Sequence, residues 1–413
     1  MKHLLFLAAG AALMMMTVVS CGEIPEVSGN DADNAYKPLE LSTKAAGFVK
    51  KGGTFTFDFI DRINKEAKED FVVSPLSMQF LLGMLLDGAN GETAAQIAKV
   101  LGYGAGEVDE VNKFCLSMLQ QLPNLDNKTK LNIANAIFLD DGWPLNNSFR
   151  KDVSKFFEAE VSNLNFMDNE ASLKAINGWC SKQTEGLIPQ VIDNVDPGIL
   201  AYLMNAVYFK SQWVYQFSKD ATSDEIFTDE SGAVSTVKMM KQNSKVPYHE
   251  NDRYKMVRLP YGNGAFSMII LLPKDNCKVS DITAELKKAD WNLLRSRAAE
   301  KDVDLWIPKF ETKFKIKLND ILSEMGMPRA FSGADFSAMS PAASSLSFVQ
   351  QDAVIKVDEE GSEAAAVSVA AIEKGITSIG SEKPIFHADH PFIYIITEQS
   401  TGAVLFAGRY SGK

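Results

Sequence analysis

The chain has 413 residues and a formal net charge of −11, with 46% apolar and 23% charged residues, an ordinary balance for a globular protein with a large core. The acidic excess argues against a nucleic-acid partner, because phosphate binding needs a basic face. Four histidines, at 3, 249, 387 and 390, with no HExxH and no CxxC, give a zinc site no support, and neither metal nor cofactor is expected.

The first 20 residues read as a leader. Lys2 and His3 precede an apolar run from Leu4 to Val19, and one small residue, Ser20, stands before Cys21. Val18-Val19-Ser20-Cys21 resembles a bacterial lipobox, which makes Cys21 a candidate lipidation site; a plain secretory signal with a chance cysteine is the alternative. Several acyl chains on one cysteine suffice for stable anchoring. No second apolar run approaches the roughly 20 residues that span a bilayer. The expectation is an exported envelope protein, periplasmic or on the outer surface, or else secreted, that meets the membrane only through its lipid. Cys115, Cys180 and Cys277 remain, an odd number that cannot all pair. Cys180, beside Trp179 in a helical pattern, reads as a buried thiol, with a reactive thiol as the alternative.

Residues 21–45 are polar and turn-rich, and read as a tether. From residue 46 to 413 no linker or internal repeat interrupts the chain, so one large domain is expected despite a length that would allow two or three. Ser74-Pro75 places an N-cap and a proline where a helix starts, and Phe80, Leu81, Met84 and Leu85 then mark its apolar face. Thr93-Ala94-Ala95-Gln96 reads as a capping box for the next helix. A further helix carries Leu173, Ile176 and Trp179 and stops near Gly186. Runs at 131–139, 202–209, 266–272, 354–357 and 391–397 read as strands, mostly apolar throughout and so covered on both faces. Helices gather early and strands late, which predicts a mixed α+β fold with large sheets.

Few catalytic constellations survive inspection. Ser235-Thr236-Val237-Lys238 matches SxxK but lacks its partner motifs and looks like a strand. Gly102, Gly104 and Gly106 have no preceding strand and read as a loop. No GxSxG occurs. The segment after Gly361 is different. Positions 362, 364, 366, 368 and 370 are Ser, Ala, Ala, Ser and Ala. A strand with one uniformly small face can enter between two existing strands without overpacking what lies beneath.

With these motifs in place the chain, from about residue 46 to 410, resembles the serpins. FVVSPLSM at 71–78 resembles the family's early shutter helix, and INGW at 176–179 with TEGLI at 184–188 the end of its sheet-covering helix. LMNAVYFK at 203–210, followed by Trp213, resembles the central strand leading to the breach. VIKVDEEGSEAAA at 354–366 resembles the strand and hinge of the reactive loop, and FHADHPFIYI at 386–395 with LFAGR at 405–409 the C-terminal signature.

The resemblance implies the serpin fold: three β-sheets, eight or nine helices and an exposed reactive-centre loop at about 359–385. It implies a protease inhibitor, not an enzyme, that traps its target as an acyl-enzyme while the cut loop inserts into the main sheet. The hinge would comprise Glu359, Gly361, Ser362, Glu363, Ala364, Ala365 and Ala366, with Gly361 supplying backbone freedom. At about 3.3 Å per residue, Gly361 to Lys374 spans on the order of 45 Å, enough to cross a sheet. The shutter and breach would comprise Ser74, Ser77, Asn205, Trp213 and Gln351, the last standing where the family has histidine. Glutamine donates and accepts, so it can serve that network without titrating.

Counting forward from Gly361 places the reactive residue at Gly375; counting back from Pro391 places it near Gly380. Lys374-Gly375 is the first candidate bond, suited to a trypsin-like serine protease. Gly375-Ile376 is the alternative, suited to elastase-like or papain-like cysteine proteases. The implied partner is such an endopeptidase, and the protein itself is expected to be a monomer. A non-inhibitory serpin acting as a binding or carrier protein is the competing reading.

Overall fold

The computed structural model describes residues 32–104, 106–343, 345–362 and 383–413. The leader, Cys21 and the loop from 363 to 382 lie outside the described residues.

Two hydrogen-bonded sheets organise the fold. The first has the order β10 (Phe310–Lys317), β11 (Gln350–Val357), β12 (Gly361–Ser362), β4 (Ala201–Gln212), β2 (Lys130–Asp140) and β3 (Glu160–Leu164). The second joins β1 (Phe71–Val73), β15 (Val404–Tyr410), β14 (Phe392–Glu398), β8 (Phe266–Pro273), β7 (Tyr254–Tyr261), β6 (Val234–Glu250), β9 (Ala299–Pro308) and β13 (Ile385–His387), with β5 (Ser223–Thr228) also on β6. Strand β6 explains why three expected sheets form two networks. It pairs with β9 from Met239 to Tyr248 but meets β7 only at Tyr248, His249 and Glu250. Two sheets are therefore stitched together at one corner. The strand runs anticipated from apolar content fall in β2, β4, β8, β11 and β14, and β8 and β14 are buried along their whole length.

Nine α-helices occur among the described residues. They are α1 (Thr43–Glu66), α2 (Pro75–Asp87), α3 (Gly91–Leu101), α4 (Val108–Gln121), α5 (Asn147–Phe156), α6 (Asn169–Gln183), α7 (Val279–Leu286), α8 (Trp291–Ser296) and α9 (Asn319–Met325). Ser74 caps α2 by accepting from Ser77 N, with Pro75 in the first turn. The helix is not amphipathic: every residue from Pro75 to Leu86 is buried, because it meets β4, β15, α1, α3 and α4 on different sides. The capping box at Thr93 is also corrected. Helix α3 starts three residues earlier, with Asn90 as its N-cap, and the Thr93 hydroxyl instead accepts the Asp335 N–H at 2.9 Å. Gly102, at φ +79°, ends that helix in the left-handed conformation that glycine tolerates.

Helix α6 covers the first sheet through Trp179, whose ring meets Phe138 of β2 edge-on at 6.0 Å. Cys180 beneath it is buried, and burial pushes its thiol up to about 12; burial likewise pushes Cys115 far above the usual thiol range. Neither is a nucleophile at neutral pH. No described helix is long and apolar enough to cross a membrane.

Candidate functional site

The first sheet holds its unusual feature between β4 and β11. Each of these strands is paired on its outer side, β4 with β2 and β11 with β10. Among the described residues, only Gly361 and Ser362 lie between their inner edges. Val357 of β11 stands opposite Ser362, and Ser362 stands opposite Ser211 of β4. Both pairings are antiparallel, so β4 and β11 run parallel with a gap the width of one strand.

A tight turn delivers the chain into this gap. The Asp358 carboxylate accepts from Glu360 N at 3.0 Å and Gly361 N at 3.3 Å, while Asp358 N donates to Gly361 O at 2.9 Å. This is the side-chain-to-backbone bonding that makes aspartate a turn residue. Gly361 has a role other than the freedom expected of it. Its backbone is not left-handed; a Cβ there would stand 2.0 Å from Ser211 O and 2.8 Å from Gln212 Cα. The position needs the absence of a side chain.

Trp213 fixes the turn from the β4 side. Its backbone N–H donates to Glu360 O and its indole Nε1–H to Asp358 O, both at 2.9 Å. The indole lies flat on Tyr261, with ring centroids 4.2 Å apart and planes 14° from parallel. Tyr261 Oη is 2.6 Å from Ser362 Oγ, so one ring supports Trp213 and holds the hinge serine. Two buried carboxylates complete the clamp. Glu359 takes Lys309 Nζ at 2.9 Å and Thr222 Oγ1 at 2.9 Å, and Glu360 takes Lys219 Nζ at 2.6 Å. Burial alone would raise the Glu359 carboxyl, but hydrogen bonds from Lys309, its own backbone and Thr222 outweigh it and hold the group below the usual range. The bond to Glu360, more than charge alone, raises Lys219.

Farther down the gap, the residues expected to form the shutter divide between two strands. On the β11 side, Gln351 Oε1 accepts Ser74 N at 3.0 Å and Gln351 Nε2 donates to Ser74 O at 2.9 Å. On the β4 side, the Ser77 hydroxyl donates to Asn205 Oδ1, and Asn205 Nδ2 donates to Asn135 Oδ1 at 2.7 Å. The two halves join through the first turn of α2, where Ser77 N donates to Ser74 Oγ at 3.2 Å and Ser74 Oγ donates to Leu405 O at 2.6 Å. Gln351 therefore works through both ends of its amide on one backbone unit of α2.

The described chain resumes at Lys383 and enters β13, whose three residues pair in parallel with Asp304, Leu305 and Trp306 of β9. Asp389 follows, bonded to His390 Nδ1 at 2.7 Å. That bond, first among several contributions, holds the Asp389 carboxyl below its usual range. No described group of side chains could hold a metal ion.

Of the sequence-predicted residues, Glu359, Gly361, Ser362 and Trp213 meet at the top of the gap, and Ser74, Ser77, Asn205 and Gln351 meet beneath it. Glu363, Ala364, Ala365, Ala366, Lys374, Gly375 and Ile376 lie outside the described residues. Sequence reasoning missed Tyr261, Thr222, Lys219, Lys309 and Asp358. Only Asp358 carried a local signal, as a turn former three residues before Gly361.

The comparisons agree with this geometry. The family model for Serpin (serine protease inhibitor) matches residues 50–412. Serpin B6 of Pongo abelii is 33% identical over 374 residues, covering 88% of this chain and 98% of its own. The leukocyte elastase inhibitor of Xenopus laevis is 33% identical over 375 residues, covering 86% and 97%. Among solved structures, the thermophilic serpin tengpin in its native state superposes with a TM-score of 0.80 at 28% identity, covering 92% of this chain and 96% of that one. Human thyroxine-binding globulin in complex with its hormone superposes at 0.78 with 25% identity, covering 89% and 98%.

Proposed function

The chain belongs to the serpin family, and from that premise we propose that it inhibits a serine or papain-like cysteine endopeptidase by trapping it as an acyl-enzyme. The protease attacks the loop, at Lys374-Gly375 or Gly375-Ile376. The loop then enters the gap between β4 and β11 as an added strand, before water reaches the acyl bond. The inhibitor acts as a monomer, exported and anchored through Cys21, and its partner is the protease.

The observation that carries this reading is the seat of Ser362 between Val357 and Ser211. Extending that antiparallel register by two residues puts Ala364 opposite Ile355 and Phe209. By six residues it puts Ser368 opposite both Gln351 and Asn205, the two halves of the shutter. All of the positions 362, 364, 366, 368 and 370 then face inward, and all are small. A serine hydroxyl arriving between the two shutter halves has both a donor and an acceptor to satisfy. Cleaving the loop with a protease that is not trapped tests this directly. Insertion raises the thermal midpoint sharply; an unchanged midpoint refutes the added strand.

A second reading, a ligand carrier, has one observation in its favour. A cavity of about 180 Å³ lies between α1, α8 and the β14–β15 turn, lined by Thr56, Gln79, Trp291 and Gly402 among others. Saturable binding of a small apolar ligand there, together with clean cleavage by every protease, would favour it.

A further inference from the structure

Residues 33–42, expected to belong to the tether, lie on the domain instead. The polar composition misled because the side chains are consumed in specific bonds. Asn34 is buried, its Nδ2 donating to Asp126 Oδ1 and its Oδ1 accepting Asn127 N, both at 2.8 Å. Farther along, Leu39 N donates to Ser400 Oγ at 3.1 Å. Glu40 N donates to Gln121 Oε1 at 2.8 Å, and Gln121 Nε2 returns a bond to Glu40 O at 3.0 Å. The segment is a strap fastened at three places.

The first fastening leads to the hinge. Asp126 is 2% exposed. Its Oδ1 also accepts Lys128 N at 3.1 Å, and its Oδ2 accepts the Thr129 hydroxyl at 2.5 Å. Ser211 Oγ lies 2.6 Å from Thr129 Oγ1. A hydroxyl has one hydrogen, and that of Thr129 is committed to the carboxylate, so Ser211 is the donor. Ser211 is the residue of β4 that faces Ser362. The fold makes room for the carboxylate: Gly262, at φ +50°, follows Tyr261, and a Cβ on it would stand 1.7 Å from Asp126 Oδ2. Gly262 N in turn bonds Gln212 O at 2.9 Å. A buried relay thus runs from Asn34 through Asp126 and Thr129 to Ser211.

We infer that Asn34 is a positioning residue for loop insertion: the strap orients the carboxylate that, through Thr129, holds the end of β4 beside the hinge. Freeing the strap loosens that end of β4 and eases strand entry, whether after cleavage or spontaneously. The segment leading from Cys21 therefore joins the domain through the same polar relay that ends beside the entering strand. This inference rests on the insertion reading.

The test compares Asn34→Ala with Asp33→Ala, an exposed neighbour, in the full chain. Two quantities are measured: amide hydrogen exchange along the chain, and the rate at which the uncleaved loop becomes resistant to proteolysis on warming. Losing a hydrogen bond to a charged group should speed conversion by about tenfold and raise exchange at 209–213, while Asp33→Ala behaves as wild type. Equal rates for both variants, or exchange rising evenly across α4 and the β14–β15 turn, would overturn the inference. Thr129→Val cuts the relay without touching the strap and keeps the test sharp if Asn34→Ala folds poorly; unaltered exchange at 209–213 in that variant also overturns it. The exchange readout does not depend on inhibition, so a chain that traps no protease would still report on the strap.

Discussion

Gly361 lies so close to Ser211 that a Cβ on it would stand 2.0 Å from the serine's carbonyl oxygen. The hinge can seat Ser362 between β11 and β4 only because this position carries no side chain. Gly361→Val should expel the turn from the gap, an overpacking cost of about 1–3 kcal/mol. That is enough to move the partition between trapping and release by roughly tenfold or more. Stoichiometry of inhibition measures it, and an unchanged value would remove steric fit from the account.

Gln351 satisfies the N–H and the C=O of Ser74, a residue 277 positions away. Gln351→Ala leaves the buried Ser74 N–H unpaired at about 1–3 kcal/mol, while Ser74 O keeps its bond from Met78 N at 3.2 Å, and the urea midpoint should fall accordingly. Gln351→Glu keeps the acceptor but sets a buried carboxylate oxygen against Ser74 O, so at neutral pH its midpoint should fall at least as far as that of alanine. A glutamate midpoint equal to that of the wild type would show that the bond to Ser74 O does not matter.

The hinge clamp carries a pH signature. Glu359 is held below its ordinary value when folded, so its contribution is present above the unfolded glutamate range and lost as pH falls through the folded value. Lys219 is raised, so its contribution is complete below the unfolded lysine range and lost only as pH rises through the folded value. Between these limits the clamp is closed. Acidification below about pH 4 should release the hinge, seen as a change in Trp213 fluorescence against the other tryptophans replaced by phenylalanine. Glu359→Gln should flatten that acid limb, and a limb that persists would assign it to another carboxylate.

Local chemistry makes part of this legible in the sequence. Ser74-Pro75 caps α2 from within its own turn, and the alternating small residues after Gly361 follow from a two-residue period. What could not be read is non-local. Lys219 and Lys309 reach Glu360 and Glu359 across 141 and 50 residues, and nothing in a lysine's neighbours announces its partner. Thr93 failed as a cap because Asp335, 242 residues on, claims its hydroxyl. Residues 33–42 failed as a tether for the same reason: Asn34 and Glu40 are polar, but their partners Asp126 and Gln121 sit on the domain. Helix α2 showed an apolar face in sequence while every side of it is packed, since periodicity records residue type and not the number of neighbours.

Incubation with a panel of serine and papain-like cysteine proteases, followed by boiling in detergent and mass analysis of the released C-terminal peptide, tests the central claim most directly. The account predicts a covalent complex that survives boiling, a cut at Lys374-Gly375 or Gly375-Ile376, and loss of the complex with retained cleavage in Ala364→Arg. Cleavage by every protease with no complex from the wild-type chain, or undiminished complex from Ala364→Arg, would contradict it.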